Sequence, residues 1–173
     1  GHVLAYDRPG YGFTPLCERR NLDPYSLAGQ VELLAKIIRD EAQGRPVVLV
    51  GHSAGALVAA AFVLAHPGLV ASLILESPAI WRRPPVPNWL GDWLRNPSLE
   101  RIADRLLKSF DKTGMTILRK SFFDKTKLSD QVIANYRAPM QNPDWLLKLW
   151  RAMTADQSNR VRERLARLPA PSS

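Results

Sequence analysis

The sequence predicts an α/β fold: a partial parallel sheet of three strands with flanking helices, followed by an α-helical cap. Three observations carry this expectation. Residues 1–80 alternate short apolar runs with helix-period runs in the order strand, helix, strand, helix, strand. That order calls for right-handed crossovers and a parallel sheet. The β-branched run Val47–Val50 stops at Gly51-His52-Ser53-Ala54-Gly55 and passes directly into an Ala-rich apolar stretch, Leu57 to Ala65. After Ile80 no further strand run occurs, and helical spacing takes over.

Taken in order, His2–Tyr6 reads as the first strand and feeds the turn-forming loop Asp7-Arg8-Pro9-Gly10-Tyr11-Gly12-Phe13-Thr14. Asp7, at the strand end, is expected to bond loop N–H groups in a structural role. Leu27, Val31, Leu34, Ala35 and Ile38 recur every three or four residues and predict an amphipathic helix, with Ser26 as its N-cap and Gly44 past its end. Residues 47–50 form the second strand, 54–65 the next helix, closing at His66-Pro67-Gly68, and 71–75 the third strand. The proline-rich stretch Arg82 to Pro87 cannot be helical. Helical segments are expected at roughly 88–95, 98–110, 114–123, 129–138 and 143–166. These boundaries divide the chain into a partial core (1–80), a cap (81–167) and a linker (168–173).

Composition narrows the function classes. Hydrophobic residues make up 46% of the 173 positions, enough for a core, and the lone cysteine, Cys17, rules out an internal disulfide. Cys17 lies beside Glu18, which would raise a thiol pKa, so it is a poor nucleophile. No apolar run is long enough to cross a bilayer. The net charge of +8 is uneven: residues 1–80 hold 6 Lys/Arg against 7 Asp/Glu, and residues 81–173 hold 18 against 9. Without a nucleic-acid signature such charge is chiefly a solvated helix face. It gives no expectation of a nucleic-acid partner and only a weak one that Arg82, Arg83, Arg119 and Lys120 attract carboxylated substrates or an anionic membrane surface. No His/Asp/Glu cluster implies a metal, and no cofactor motif is present.

The Gly-x-Ser-x-Gly turn is the point at which chemistry concentrates. On its own the pattern is weak; between a β-branched run and an apolar helix it is specific. Gly51 and Gly55 are expected to make room for a turn so tight that a side chain at either would strike a neighbour. Ser53 would then be lifted out of the sheet at a helix N-terminus, where unpaired N–H groups favour developing negative charge. That geometry suits a nucleophile whose substrate becomes an oxyanion. A loop serving packing alone is the plain alternative.

The run Ala5-Tyr6-Asp7-Arg8-Pro9-Gly10-Tyr11-Gly12, the amphipathic helix, and Val48 to Ala56 together resemble the α/β-hydrolase fold, and residues 81–166 resemble its helical cap. The resemblance implies Ser53 as nucleophile and the Ala54 backbone N–H as one oxyanion donor. It allows Glu76, at the end of the strand before the cap, as the catalytic acid; capping the following turn is Glu76's alternative role. The family's plan places strands before residue 1 and after residue 167. The sequence therefore reads as an internal piece of a serine esterase or lipase acting on a small ester or acyl substrate.

None of the three histidines suits the role of base. His52 is expected to pack beneath the turn, His66 stands over three helical turns from Ser53, and His2 opens a strand at the end away from the site. The chain alone is therefore expected to be inactive. Aromatic and leucine residues of the cap (Trp89, Leu90, Trp93, Leu94, Leu146, Leu147, Trp150) are expected to pack on the catalytic layer, a few lining an acyl pocket. Two other readings stay open: a non-catalytic binding protein on the same fold, and a basic helical module for membrane or nucleic acid. The compartment is not legible.

Overall fold

The structure is a computed structural model, and it describes all residues except 20, 82–85, 87, 101–115, 117, 158–160 and 167–173. The chain divides into two compact units, one of residues 19–88 with 156–173 and one of residues 1–18 with 89–155.

The first unit holds helix α1 (Leu27–Glu41), strand β1 (Val47–His52), helix α2 (Ala54–Ala65), strand β2 (Val70–Glu76) and, near its end, the short helix α6 (Val161–Leu165). The five apolar positions of α1 named above are all buried, so the three-and-four spacing had marked the packed face. Ser26 caps α1 by accepting a 3.0 Å hydrogen bond from the Gly29 N–H. The chain turns after Ala42 through Gln43 and Gly44, both at positive φ.

Helix α2 is apolar on every side because it is covered on several sides. It packs on β1 and β2, against α1, and against α6, with Ala56, Val58, Ala59, Ala60 and Phe62 buried. At its C-terminal end His66 lies on the Phe62 ring, centroids 5.0 Å apart, and meets the Glu32 carboxylate of α1 at 3.2 Å. Arg164 of α6 donates to the Leu64 carbonyl at 2.7 Å.

Strands β1 and β2 pair in parallel, Val48 against Ser72, Val50 against Ile74 and His52 against Glu76. Among the described residues these are the only strands, which corrects the expected three-stranded sheet. His2–Tyr6 joins no ladder, and its Val3 is 89% exposed. A strand is not a local structure: an apolar, β-branched run permits extension, but only a hydrogen-bonded neighbour makes it part of a sheet. One face of the pair is covered by α2. The other leaves Val48, Val50 and Ile74 exposed.

The second unit is organised by helix α5 (Trp145–Thr154), with α3 (Asn88–Leu94) and α4 (Asp130–Arg137) before it. Trp150 is buried among Leu94, Leu99 and Leu146, and its indole N–H donates to the Leu94 carbonyl at 3.2 Å. Arg95 donates to the Thr154 carbonyl, 2.6 Å away. Arg151 forms a bidentate pair with Glu100 (2.9 and 3.3 Å) and a further bond to the Cys17 carbonyl at 2.9 Å. Lys148 is wholly buried, its ammonium donating to the carbonyls of Thr14 (2.8 Å) and Gly12 (3.3 Å).

Two further expectations change. The helix expected over 143–166 is broken: α5 ends at Thr154, and Ala155 is extended (φ −64°, ψ 152°). Beyond the break, Asp156 accepts from the Leu27 N–H at the start of α1, and Gln157 donates to the Tyr25 carbonyl, so long-range hydrogen bonds override a continuing helical period. Trp89 and Trp93 are 74% and 62% exposed, because α3 turns its Gly91 side, with Gly91 close to the Thr154 carbonyl, into the unit. Residues 101–110 of the helix expected at 98–110, residues 114, 115 and 117 of the one expected at 114–123, most of the proline-rich stretch, and the linker at 168–173 lie outside the described residues.

Arg151→Ala leaves the nearly buried Glu100 carboxylate without its bidentate partner. We expect urea denaturation to show a loss of about 2–3 kcal/mol. Arg151→Lys should not restore it, since a single ammonium cannot replace the planar fork.

Candidate functional site

Ser53 sits on the single residue between β1 and α2. Its backbone (φ 51°, ψ −116°) lies in a region that non-glycine residues rarely adopt, with a cost on the order of 1–3 kcal/mol that surrounding structure must offset. Backbone hydrogen bonds hold it there. The Ser53 N–H donates to the Glu76 carbonyl at the end of β2, and the Ser53 carbonyl accepts from the N–H groups of Ala79 (3.0 Å) and Ala56 (3.2 Å). The segment 76–79 is thus a buttress, itself bent at Ser77 (φ 43°). Only the Ser77-Pro78 turn pair hinted at it in sequence.

Gly51 makes the tight junction possible. A Cβ there would stand 2.7 Å from the Ala56 Cα and 2.9 Å from the Ala59 Cβ, so β1 passes against α2 with no space for a side chain. Gly55 differs from expectation: a Cβ there would meet nothing within 4 Å. It occupies the first turn of α2, pointing away from the strand, so close approach is required on the Gly51 side alone.

Ser53 is half-buried, and its side chain makes no capping bond to α2. The Ala54 N–H opens the helix, where no intrahelical acceptor exists, and Ala54 is exposed. A polarisable oxygen placed there would meet an unpaired donor and the positive end of the helix dipole. Glu76 is exposed at the end of β2, and its backbone, through the bond to Ser53, joins the junction.

Neither histidine of the unit that holds Ser53 is turned toward it. His52 is exposed on the uncovered sheet face with Val48 and Val50, which corrects the expectation that it packs beneath the turn; strand alternation puts residue 52 on the same side as 48 and 50. His66 is committed to Glu32 at the far end of α2, about 18 Å along the helix at 1.5 Å per residue. His2 is exposed in the other unit.

In that second unit the glycine loop is ordered by Asp7. Its carboxylate accepts from the Phe13 N–H at 2.9 Å and lies directly over Gly12, which is at φ 53° and has no room for a side chain. The Asp7 carbonyl accepts from the Thr14 hydroxyl, and the Arg8 guanidinium stacks 4.8 Å above the Tyr11 ring. Burial pushes the Tyr6 phenol above its usual range, the Arg8 charge pulling partly the other way. Cys17 donates its thiol to the Pro15 carbonyl. Lys148, which clamps this loop, escaped the sequence reading. A lysine in an amphipathic helix reads as solvent-facing, although the spacing Trp145, Lys148, Leu149, Ala152 places it on the apolar side. Among the described residues no group of three or more His, Cys, Asp or Glu could hold a metal.

A parallel β–α–β layer with a strained serine at the strand-to-helix junction defines a class, and sequence comparison agrees. Residues 1–172 match the alpha/beta hydrolase family, and the chain belongs to it. It is 36% identical over 78 residues to the lipase LipV of Mycobacterium tuberculosis, covering 45% of this chain and 28% of that protein. It is 31% identical over 81 residues to the probable lysophospholipase BODYGUARD 2 of Arabidopsis thaliana, covering 47% of this chain and 17% of that protein. The matched stretches thus span less than a third of either relative's length. No solved structure matches.

The two glycines give opposite expected outcomes. Gly51→Ala should lose about 1–3 kcal/mol by denaturant titration, as overpacking does. Gly55→Ala should hold or gain up to about 1 kcal/mol, since alanine favours the helix and meets open space.

Proposed function

We propose that the chain carries the nucleophile of a serine hydrolase acting on a carboxylic ester or acyl substrate. The observation that carries this reading is the strained Ser53 backbone, held at the start of α2 by hydrogen bonds on both sides. Strain of this kind persists where a side chain must be presented in one direction. In this reading the Ser53 Oγ attacks the substrate carbonyl, and the alcohol leaves. An acyl-enzyme remains on Ser53 until water releases the acid. The Ala54 N–H, with the α2 dipole behind it, stabilises the oxyanion of each tetrahedral intermediate. The lipase and lysophospholipase names of the two relatives support an acyl ester as the substrate class.

Glu76 is our candidate for the acid, supported by its place at the end of β2 beside the Ser53 peptide. A core over 1–80 and a helical cap over 81–167 belong to the same reading. They are supported by the strands ending at Glu76 and by the helical character of the described regular elements beyond. We assign no base among His2, His52 and His66. A serine without an imidazole is a weak nucleophile.

The 173-residue chain should therefore turn over p-nitrophenyl acetate no faster than its Ser53→Ala variant. Clear turnover lost in Ser53→Ala would refute the assignment of no base while supporting the nucleophile. In a chain that carries this segment together with a base histidine, a fluorophosphonate probe should label Ser53. Equal labelling of Ser53→Ala sinks the reading. In that same chain Glu76→Gln should lower kcat by at least about a hundredfold, the low end for a group acting with the base; unchanged turnover removes Glu76 from the mechanism.

A further inference from the structure

The stretch Arg119-Lys120-Ser121-Phe122-Phe123-Asp124-Lys125-Thr126-Lys127 leaves the helical turn at 118–121 and enters a short 3-10 turn at Lys125–Lys127. Leu118 is buried and anchors it. The Phe123 side chain is fully exposed, at 104% of its reference area. Arg119, Lys120, Lys125 and Lys127 are exposed on either side of it. Four cations against one acid leave the stretch at +3.

The turn is held in shape. The Lys125 ammonium donates to the carbonyls of Arg119 and Phe122 (2.6 Å to the latter), satisfying acceptors that the helix end leaves open. Asp124 turns its carboxylate onto the Thr126 hydroxyl (2.6 Å) and backbone N–H (3.0 Å), and the hydroxyl, then the N–H, lower its pKa below the usual value. The one negative charge is thus occupied within the turn, and the phenyl ring is presented outward by ordered backbone.

A whole phenyl ring in water is unfavourable, and its transfer into an apolar layer is worth about 1.5–3 kcal/mol. A cation cluster with an apolar tip is complementary to a surface that is anionic outside and apolar just beneath. We propose that residues 119–127 dock on an anionic phospholipid bilayer, with Phe123 inserted at the headgroup boundary and Arg119, Lys120 and Lys127 on the lipid phosphates. Lys125 holds the turn. Single-stranded nucleic acid fits less well, since it calls for several aromatic faces on which successive bases stack. The surface is independent of Ser53, and its test requires no catalysis.

The test is co-sedimentation of the 173-residue chain with vesicles of phosphatidylcholine alone and of phosphatidylcholine mixed with phosphatidylglycerol. We expect binding to the mixed vesicles, little to the neutral ones, and release by high salt. Phe123→Ser should weaken binding about tenfold, from lost apolar burial. Arg119→Gln combined with Lys120→Gln should weaken it more than about tenfold, at about fivefold per charge. Circular dichroism of each variant should match the parent, because the substituted side chains are exposed. Absence of binding, equal binding to both vesicle types, or binding unchanged in Phe123→Ser overturns the proposal. So does retention of the chain by a single-stranded oligonucleotide that displaces it from vesicles and is insensitive to Phe123→Ser.

Discussion

The hydrogen bond from the Ser53 N–H to the Glu76 carbonyl, with the return bond from Ala79, is the constraint on which the core depends. It joins the end of β1 to the end of β2 just where the ladder would otherwise stop, and it holds residue 53 at a backbone conformation it would not choose alone. The close pass of Gly51 under Ala56 is its counterpart on the helix side. Together they make the junction a consequence of two neighbours, one strand and one helix. The local chain merely permits it.

The second unit rests on a different principle. Its helices are short, and burial on α5 includes a lysine and a threonine as well as a tryptophan and an alanine. Order comes from side chains that donate to backbone carbonyls: Arg95 to Thr154, Trp150 to Leu94, Arg151 to Cys17 and Lys148 to Gly12 and Thr14. Such carbonyls lie in loops and at helix ends, where no secondary structure satisfies them. Long polar side chains therefore do the joining that strands do in the other unit.

What could be read in the sequence follows the range of the interaction. Helix α1, with its stripe and its Ser26 cap, and the Gly-x-Ser-x-Gly junction are written in neighbouring residues and were legible. The membership of the α/β-hydrolase family was legible for the same reason, since its motifs are local. That His2–Tyr6 stays outside the sheet was not, because the run carries a strand's composition but needs a partner that no local pattern specifies. Gly51 and Gly55 look alike in one dimension; only the position of α2 separates a required glycine from one with open space around it. The break after Thr154 reflects acceptors needed at the start of α1, more than a hundred residues away in sequence. Around Ser53 the turn from strand to helix could be placed in advance, whereas the 76–79 buttress and the loop clamp by Lys148 arise from tertiary contacts.

The interior position of Lys148 has a practical side. Amine-reactive reagents modify lysines that reach water, and this ammonium is sealed beneath the carbonyls of the glycine loop. Its acylation rate therefore measures how often α5 lifts from that loop. In a peptide map of the native chain, the fragment containing residue 148 is a built-in clock for the opening of the helical unit.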